Sequence, residues 1–294
     1  MSNEQSLSSS EKPVTSAPSS ETHEKGFTLE RNDRFKDFAK VEVTKTDDSK
    51  PWKPPVEVTV TMADGQRVEH LPASTSFYTF HKGDAALTVS AAAAGHIDSL
   101  HIRGEDPGSR FDEPSFDALM ADVAPKIPDE VTETPGPSAF SVEMGKNMGK
   151  EGIAAIDELL KDGTVRSEDV MSATLVKADV IELNKNGTHE SKQAFADAFR
   201  AKHPESRIQF QLVRGSVLVP VVDAPKRPTT KLFMVFGPDE ARPGQKTMWT
   251  AAPGRNMPRH PDPKQHMDKD GKLNDETFNE SANAWFDTVM LTGE

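Results

Sequence analysis

Two runs of alternating apolar and polar residues predict a β-hairpin in the first part of the chain. VEVTVTM occupies positions 56–62 and RVEHLP positions 67–72, with the pair Asp64-Gly65 between them. An Asp-Gly pair between two such runs is typical of a tight hairpin turn, because glycine readily takes the positive φ that the turn needs. We therefore expect two antiparallel strands here.

Further elements are expected after this hairpin. SFYTF (76–80) and SLHIRG (99–104) predict two more strands, and the alanine-rich LTVSAAAAG between them predicts a short helix. The residues that recur at the spacing of one helix face after Ser115 are Phe116, Leu119, Met120 and Val123. Together these elements predict a small α+β module over residues 56–127.

A proline-rich acidic segment is expected to end this module. PDEVTETPGP (128–137) contains three prolines and a glycine, so few contacts should cross it. We therefore predict a linker at this segment and a separate C-terminal α+β domain over residues 138–294.

The C-terminal domain is predicted to begin with helices and to continue with strands. An apolar stripe that ends at Gly163 and a run from Thr188 to His203 predict helices. The four runs that predict successive strands of one antiparallel sheet are IQFQLV (208–213), SVLVPVV (216–222), KLFMVFG (231–237) and KTMWTAA (246–252). A final helix over residues 276–290 has one apolar face, which should pack back on this sheet.

The composition adds a tail to this plan. Of the 294 residues, 35% are hydrophobic and 28% are charged, and this low apolar share predicts that part of the chain lies outside any core. Residues 1–55 are predicted to be a disordered tail and a lead-in: residues 1 to about 26 are rich in Ser, Glu, Thr and Pro with almost nothing to bury, and DDSKPWKPP (47–55) is proline-rich. The predicted fold class is therefore α+β with two small modules, the C-terminal one made of helices, an antiparallel sheet and a final packing helix.

Missing sequence features exclude several classes of protein. The absence of cysteine excludes disulfides, thiolate metal sites and a cysteine nucleophile. The N-terminus lacks the basic start and the apolar run of a secretory signal. The sequence also contains no run of about 18 apolar residues, so we expect no helix that spans a membrane and no membrane partner. We therefore predict a cytoplasmic protein, with non-classical secretion, as used by some bacterial effectors, as the alternative.

Charge is distributed unevenly along the chain. The formal net charge is −12, yet residues 200–266 contain twelve Lys or Arg against five acids, so this segment carries +7 and the remainder −19. Such asymmetry predicts a positively charged surface for an anionic partner, while the surrounding acids limit non-specific adhesion. The alternative is a solvated sheet edge that Lys and Arg keep from aggregating.

The segment KTMWTAAPGRNMPRHPDPKQH, residues 246–266, is the predicted binding site. Its strand ends at Pro253-Gly254, and glycine there permits a close approach of the backbone to a ligand. Arginine suits phosphate because its planar fork donates two hydrogen bonds, and an indole offers a face for base stacking. The residues predicted to bind an anion are Arg259, Asn256, Gly254 and Trp249. The alternative is a proline-rich connection to the last helix, with Trp249 in the core.

Residues 140–294 resemble the compact ribonuclease fold shared by barnase, EndoU and colicin-like bacterial toxins. The local motif that carries the resemblance is KTMWTAAPG, residues 246–254. Such proteins cleave RNA without a metal, and the resemblance implies that the catalytic residues are His260, Arg255, Lys246 and Thr250. Two departures from the family are the lack of a histidine pair on adjacent strands and the position of the single tyrosine, Tyr78, in the other module.

The predicted function follows from these residues. We expect the C-terminal domain to bind an anionic, phosphate-bearing partner, RNA in particular, with metal-independent ribonuclease activity as an extension. The possible metal ligands are His260, Asp262, His266, Asp268 and Asp270. Because there is no HExxH motif and no histidine pair at helical i, i+4 spacing, we predict neither a metal nor another cofactor. The alternative is a non-catalytic protein in which the same segment binds a protein partner or braces the last helix.

Overall fold

The structure is a computed structural model, and not every residue is described in it. The described residues are 26–36, 38–49, 54–65, 68–104, 109–213, 215–258, 260–268 and 270–293. The prediction of a disordered tail and lead-in over residues 1–55 is wrong in part, because Thr28–Arg31 and Phe38–Thr46 form strands. Residues 1–25 and 50–53 of that segment, and the predicted anion ligand Arg259, lie outside the described ranges.

Strands and helices occur largely in separate runs along the described part of the chain. The strands are β1 (Thr28–Arg31), β2 (Phe38–Thr46), β3 (Pro55–Met62), β4 (Val68–Pro72), β5 (Ser76–Lys82), β6 (Ala85–Ser90), β7 (Arg110–Phe111), β8 (Ser138–Glu143), β9 (Gly149–Glu151), β10 (Ile153–Ala155), β11 (Ile208–Val213), β12 (Val217–Asp223), β13 (Arg227–Thr229), β14 (Lys231–Pro238), β15 (Lys246–Pro253) and β16 (Val289–Gly293). The α-helices are α1 (Ala91–Ile97), α2 (Phe116–Val123), α3 (Glu130–Glu133), α4 (Ile156–Lys161), α5 (Ser167–Leu175), α6 (Lys177–Asn186), α7 (His189–Lys202) and α8 (Asp275–Thr288). This composition confirms the predicted α+β class, with helices, then strands and a final helix in the C-terminal region.

A six-stranded sheet is built from both sides of the predicted linker. Its strand order is β1-β5-β6-β15-β14-β8, with β6 parallel to β15 and β15 antiparallel to β14. Strands from before residue 128 and after residue 137 therefore belong to one sheet, and the expectation that few contacts cross this segment is wrong. Local composition shows a turn but does not show which distant strands will pair.

A four-stranded sheet forms the centre of the other half of the molecule. Its order is β10-β16-β12-β11, and the C-terminal strand β16 is parallel to β12 and antiparallel to β10. Helices α4 to α8 supply buried side chains to the core on this sheet. The four strands that the sequence predicts as one sheet are therefore divided, since β11 and β12 lie here while β14 and β15 lie in the six-stranded sheet.

A small three-stranded sheet, β13-β9-β7, connects the two larger ones. Strand β9 leads through Gly152 into β10 of the four-stranded sheet, and β13 leads through Thr230 into β14 of the six-stranded sheet. Gly149 begins β9 with φ +143°, and a methyl group there would overlap the backbone carbonyl of Arg110, so the close pairing of β9 with β7 requires glycine.

Most of the local predictions in the first region are confirmed. Strands β3 and β4 form the expected antiparallel hairpin, with Gly65 at φ +67° in the turn. Ser115 caps α2, because its side chain accepts a hydrogen bond from the backbone N–H of Ala118. The strand predicted over residues 99–104 is wrong, since Asp98–Ile102 continues α1 as a π-helical turn. A second three-stranded sheet, β2-β3-β4, completes this half.

Candidate functional site

The six-stranded sheet has one face against a hydrophobic core and one face that is partly open. Met234, Phe236 and Met248 point into the core and are fully buried. Because side chains alternate along a strand, their neighbours point to the opposite face. Phe233 and Thr250 on that outer face are only half-buried. We call this surface of β14 and β15 the outer face.

Trp249 is the largest exposed side chain on the outer face. The pairing of β14 with β15 shifts between Val235 and Phe236, which places Trp249 as the extra residue of a β-bulge. Its side chain is 42% exposed, and its indole lies against the backbone of Gly237, where a methyl group would overlap the ring. The interpretation of Trp249 as a core residue is therefore wrong, and the glycine beneath it allows the indole to lie close to the sheet.

A polar cleft of about 390 Å³ lies at the end of these two strands. The charged side chains that line it come from five separate segments and are Glu151, Glu158, Arg227, Lys231 and Arg255. They meet because the small sheet carries the chain from one large sheet to the other at this point. The cleft is thus a consequence of the connection between the two halves of the fold.

Arg255 is held in this cleft by two carboxylates. Its Nη1 and Nη2 donate to Oε1 and Oε2 of Glu158 at 2.7 and 2.9 Å, and Nη2 lies 3.5 Å from Oε2 of Glu151. The hydrogen bonds from Arg255 lower the pKa of Glu158, and those to Glu158 raise the pKa of Arg255. Both groups are therefore charged at neutral pH.

The turn after β15 explains why glycine precedes this arginine. Gly254 has φ +123°, and a Cβ there would lie 2.9 Å from Cγ of Glu151. Its N–H donates to the carbonyl oxygen of Lys231 at 2.8 Å. Gly254 therefore positions Arg255 by permitting a close approach of backbone to Glu151, and no contact with a ligand is needed to account for it.

Two further cations border the cleft. Arg227 pairs with Asp162, and Nη1 of Arg227 lies 3.7 Å from Oε2 of Glu158. Lys231 is exposed, and its charge contributes to the lowered pKa of both Glu158 and Glu143. The cleft therefore combines three cationic side chains with two acids in its lining, and its positive charge is largely neutralised within the protein.

The structure brings part of the predicted binding segment together. Arg255 lines the cleft, and the N–H of Asn256 donates to Oγ of Ser141 on β8 at 2.6 Å, which fixes the loop against the outer face. Thr250 and Trp249 lie on the same face, further along β15. Trp249, Thr250 and Asn256 are thus at least partly exposed on the side of the sheet where Arg255 follows β15, whereas Gly254 is buried.

Two predicted catalytic residues lie elsewhere. Lys246 begins β15, and its Nζ donates to the carbonyl oxygen of Gly136 at 2.9 Å. At about 3.3 Å per strand residue, Lys246 lies about 23 Å from Pro253 at the other end of the strand. Burial lowers the pKa of this lysine. The His260 ring stacks on Trp285 of α8 with centroids 4.4 Å apart, and His260 is not among the residues that line the cleft.

The predicted catalytic set is consequently not assembled around one point. A shared site needs its groups within reach of one reacting atom, and Lys246 and Arg255 occupy opposite ends of β15. Sequence reasoning missed Glu151, Glu158 and Arg227, which come from segments far from residues 246–266. Glu158 lies outside the apolar stripe of α4, where a charged residue is ordinary, so the local sequence contained no signal for it.

Comparisons with known proteins add no family to this description. No family model matches the chain, and no curated protein and no solved structure matches it either. Within the described ranges, no group of three or more His, Asp or Glu side chains is arranged to hold a metal ion. Among those same residues, no helix is both long enough and apolar enough to cross a bilayer.

Proposed function

We propose that this protein binds single-stranded RNA on the outer face of the six-stranded sheet. In this proposal a base stacks on Trp249, and the phosphates extend along β14 and β15 toward Lys231 and the cleft. The observation that carries the proposal is the exposed indole of Trp249 on a sheet face that ends at Lys231 and the two arginines of the cleft, Arg227 and Arg255.

An exposed tryptophan in a strand is well suited to stacking. Aromatic side chains bury large areas in folded proteins, so leaving an indole partly in water gives up stabilisation. Stacking of one base on an aromatic ring contributes about 1–3 kcal/mol and tolerates any base sequence. A duplex hides the faces of its bases, and therefore a single strand is the form of RNA that this surface fits.

The length of the outer face along β14 and the net charge of the chain support the same class of partner. Lys231 lies six residues from Gly237 along β14, which corresponds to about 20 Å at the rise of a strand. That length accommodates a short single-stranded segment between Trp249 and Lys231. The net charge of −12 over the whole chain favours binding confined to this surface over general adhesion to nucleic acid.

Ribonuclease activity would need more than this surface provides in one place. Cleavage without a metal requires an acid, a base and cations around one phosphate. Lys246 is too distant from Arg255 to share that task, so the proposal is one of binding. If the wild type cleaved labelled RNA in the presence of a chelator and His260→Ala did not, catalysis would be added to the proposed binding.

A salt titration tests the proposal. Fluorescence anisotropy with a labelled single-stranded RNA measures the association constant. Its logarithm should fall linearly with the logarithm of the salt concentration, with a slope of about −0.7 for each phosphate contacted. Lys231→Ala should reduce the magnitude of the slope by about that amount, whereas Lys202→Ala, which removes an exposed lysine at the end of α7, should leave it unchanged. Absence of binding at low salt, or tighter binding to a duplex of the same sequence, would refute the proposal.

A further inference from the structure

The paired carboxylate in the cleft points to the kind of phosphate that the site takes. We infer that the cleft receives a terminal phosphate monoester of the RNA strand, which displaces Glu158 from Arg255. This inference rests on the proposed function and goes beyond it by naming the chemical group that the cleft selects.

Glu158 occupies the place on Arg255 that a phosphate would take. The two hydrogen bonds from Arg255 to Glu158, at 2.7 and 2.9 Å, have the bidentate geometry with which arginine also binds phosphate. A ligand phosphate can use this fork only after the Glu158 carboxylate has left it. Binding in the cleft is therefore an exchange of one anion for another.

The charge of the incoming group decides this exchange. An internal phosphodiester carries one negative charge, as the Glu158 carboxylate does, so replacing one by the other brings little electrostatic gain. A terminal monoester carries about −1.5 to −2 at pH 7, because its second pKa is near 6. The larger charge lets it interact with Lys231 and Arg227 as well as with Arg255. The cleft consequently favours a monoester over a diester.

Glu158 is the carboxylate that can move. Its side chain is 41% exposed, and a rotamer change would place it in solvent. The Glu151 side chain is only 10% exposed and accepts a hydrogen bond from Oγ1 of Thr229 at 2.9 Å. Glu151 therefore stays beside Arg255 after the exchange, and because its negative charge repels any phosphate, the attraction must come from Arg255, Lys231 and Arg227. These two roles make Glu158 the displaceable group and Glu151 the fixed one.

The experiment compares one single-stranded RNA sequence in three forms, with a 5′-phosphate, with a 3′-phosphate and with hydroxyls at both ends. We expect the wild type to bind at least one phosphorylated form about fivefold or more tightly than the unphosphorylated form, and the preferred form identifies which end enters the cleft. Glu158→Gln should reduce this ratio, because Arg255 then becomes available to a diester as well. Glu182→Gln, which neutralises an exposed carboxylate on α6 outside the lining of the cleft, should leave the ratio unchanged.

The outcomes separate this inference from the proposed function. Equal binding of all three forms, with each still weakened by Trp249→Ala, overturns the terminal phosphate and leaves RNA binding intact. Failure of every form to bind the wild type overturns the proposed function itself. Lys231→Ala is a second test for the case that Glu158→Gln does not fold, and it should also lower the ratio, whereas an unchanged ratio in Lys231→Ala contradicts the inference.

Discussion

Trp249→Ala is expected to weaken binding of single-stranded RNA by about 1–3 kcal/mol, a factor of about 5 to 150 in Kd. The indole is 42% exposed on the outer face, so its removal takes away the stacking surface and little of the core. Anisotropy titration at one low salt concentration measures the change. Trp249→Phe should recover part of the affinity because it restores an aromatic face.

A matched control comes from the other half of the molecule. Leu175 on α5 is 78% exposed, and Leu175→Ala also removes a large exposed apolar side chain. That variant should bind RNA as the wild type does. If Trp249→Ala retains full affinity, or if Leu175→Ala loses as much, the indole has no special part in binding.

Trp285→Ala is expected to lower the free energy of unfolding by about 3–5 kcal/mol. Trp285 lies on α8, is fully buried and belongs to the core on the four-stranded sheet. Its removal leaves a cavity and also takes away the ring on which His260 stacks. Urea unfolding followed by circular dichroism measures the loss.

The two tryptophan variants should affect different properties of the protein, stability in one case and RNA affinity in the other. Trp285→Ala should reduce stability strongly, and the fraction that remains folded should bind RNA with an affinity close to that of the wild type. Trp249→Ala should reduce affinity with a much smaller change in stability. If Trp285→Ala were as stable as the wild type, the burial of Trp285 in the core on the four-stranded sheet would be contradicted.

Local structure was predictable from the sequence where local chemistry determines it. The Asp64-Gly65 turn, the cap at Ser115 and the apolar face of the last helix each depend on residues close together in the chain, and each is confirmed. The run over residues 99–104 also alternates, but the helix capped by Ser90 continues into it as a π-helical turn. A regular helix upstream therefore overrode a short strand-like pattern.

Strand pairing was not predictable in the same way. The sequence shows β11, β12, β14 and β15 as four similar apolar runs, but it does not show that β16 pairs with β12 or that β6 pairs with β15. Those pairings join residues that are far apart in the chain. They also divide β11, β12, β14 and β15 between two sheets, whereas the sequence predicts one sheet for all four.

The candidate site shows the same limit. The turn at Gly254 and the positions of Arg255 and Asn256 were predictable from the sequence, because Pro253-Gly254 ends the strand and these two residues follow it directly. Glu158, which pairs with Arg255, lies almost a hundred residues earlier and reaches it only through the small connecting sheet. His260 was predicted as catalytic because the resemblance to ribonucleases implied it, and its stacking on Trp285 depends on a helix that follows it.

Photo-crosslinking tests most directly whether RNA lies on the outer face. The wild type is irradiated with a single-stranded RNA and digested with trypsin, which cleaves after Lys246 and Arg255 and releases residues 247–255 as one peptide that contains Trp249. We predict that this peptide carries the main nucleotide adduct and that the adduct disappears in Trp249→Ala. Adducts confined to peptides from other surfaces, such as β2 to β4 or α5, would contradict it.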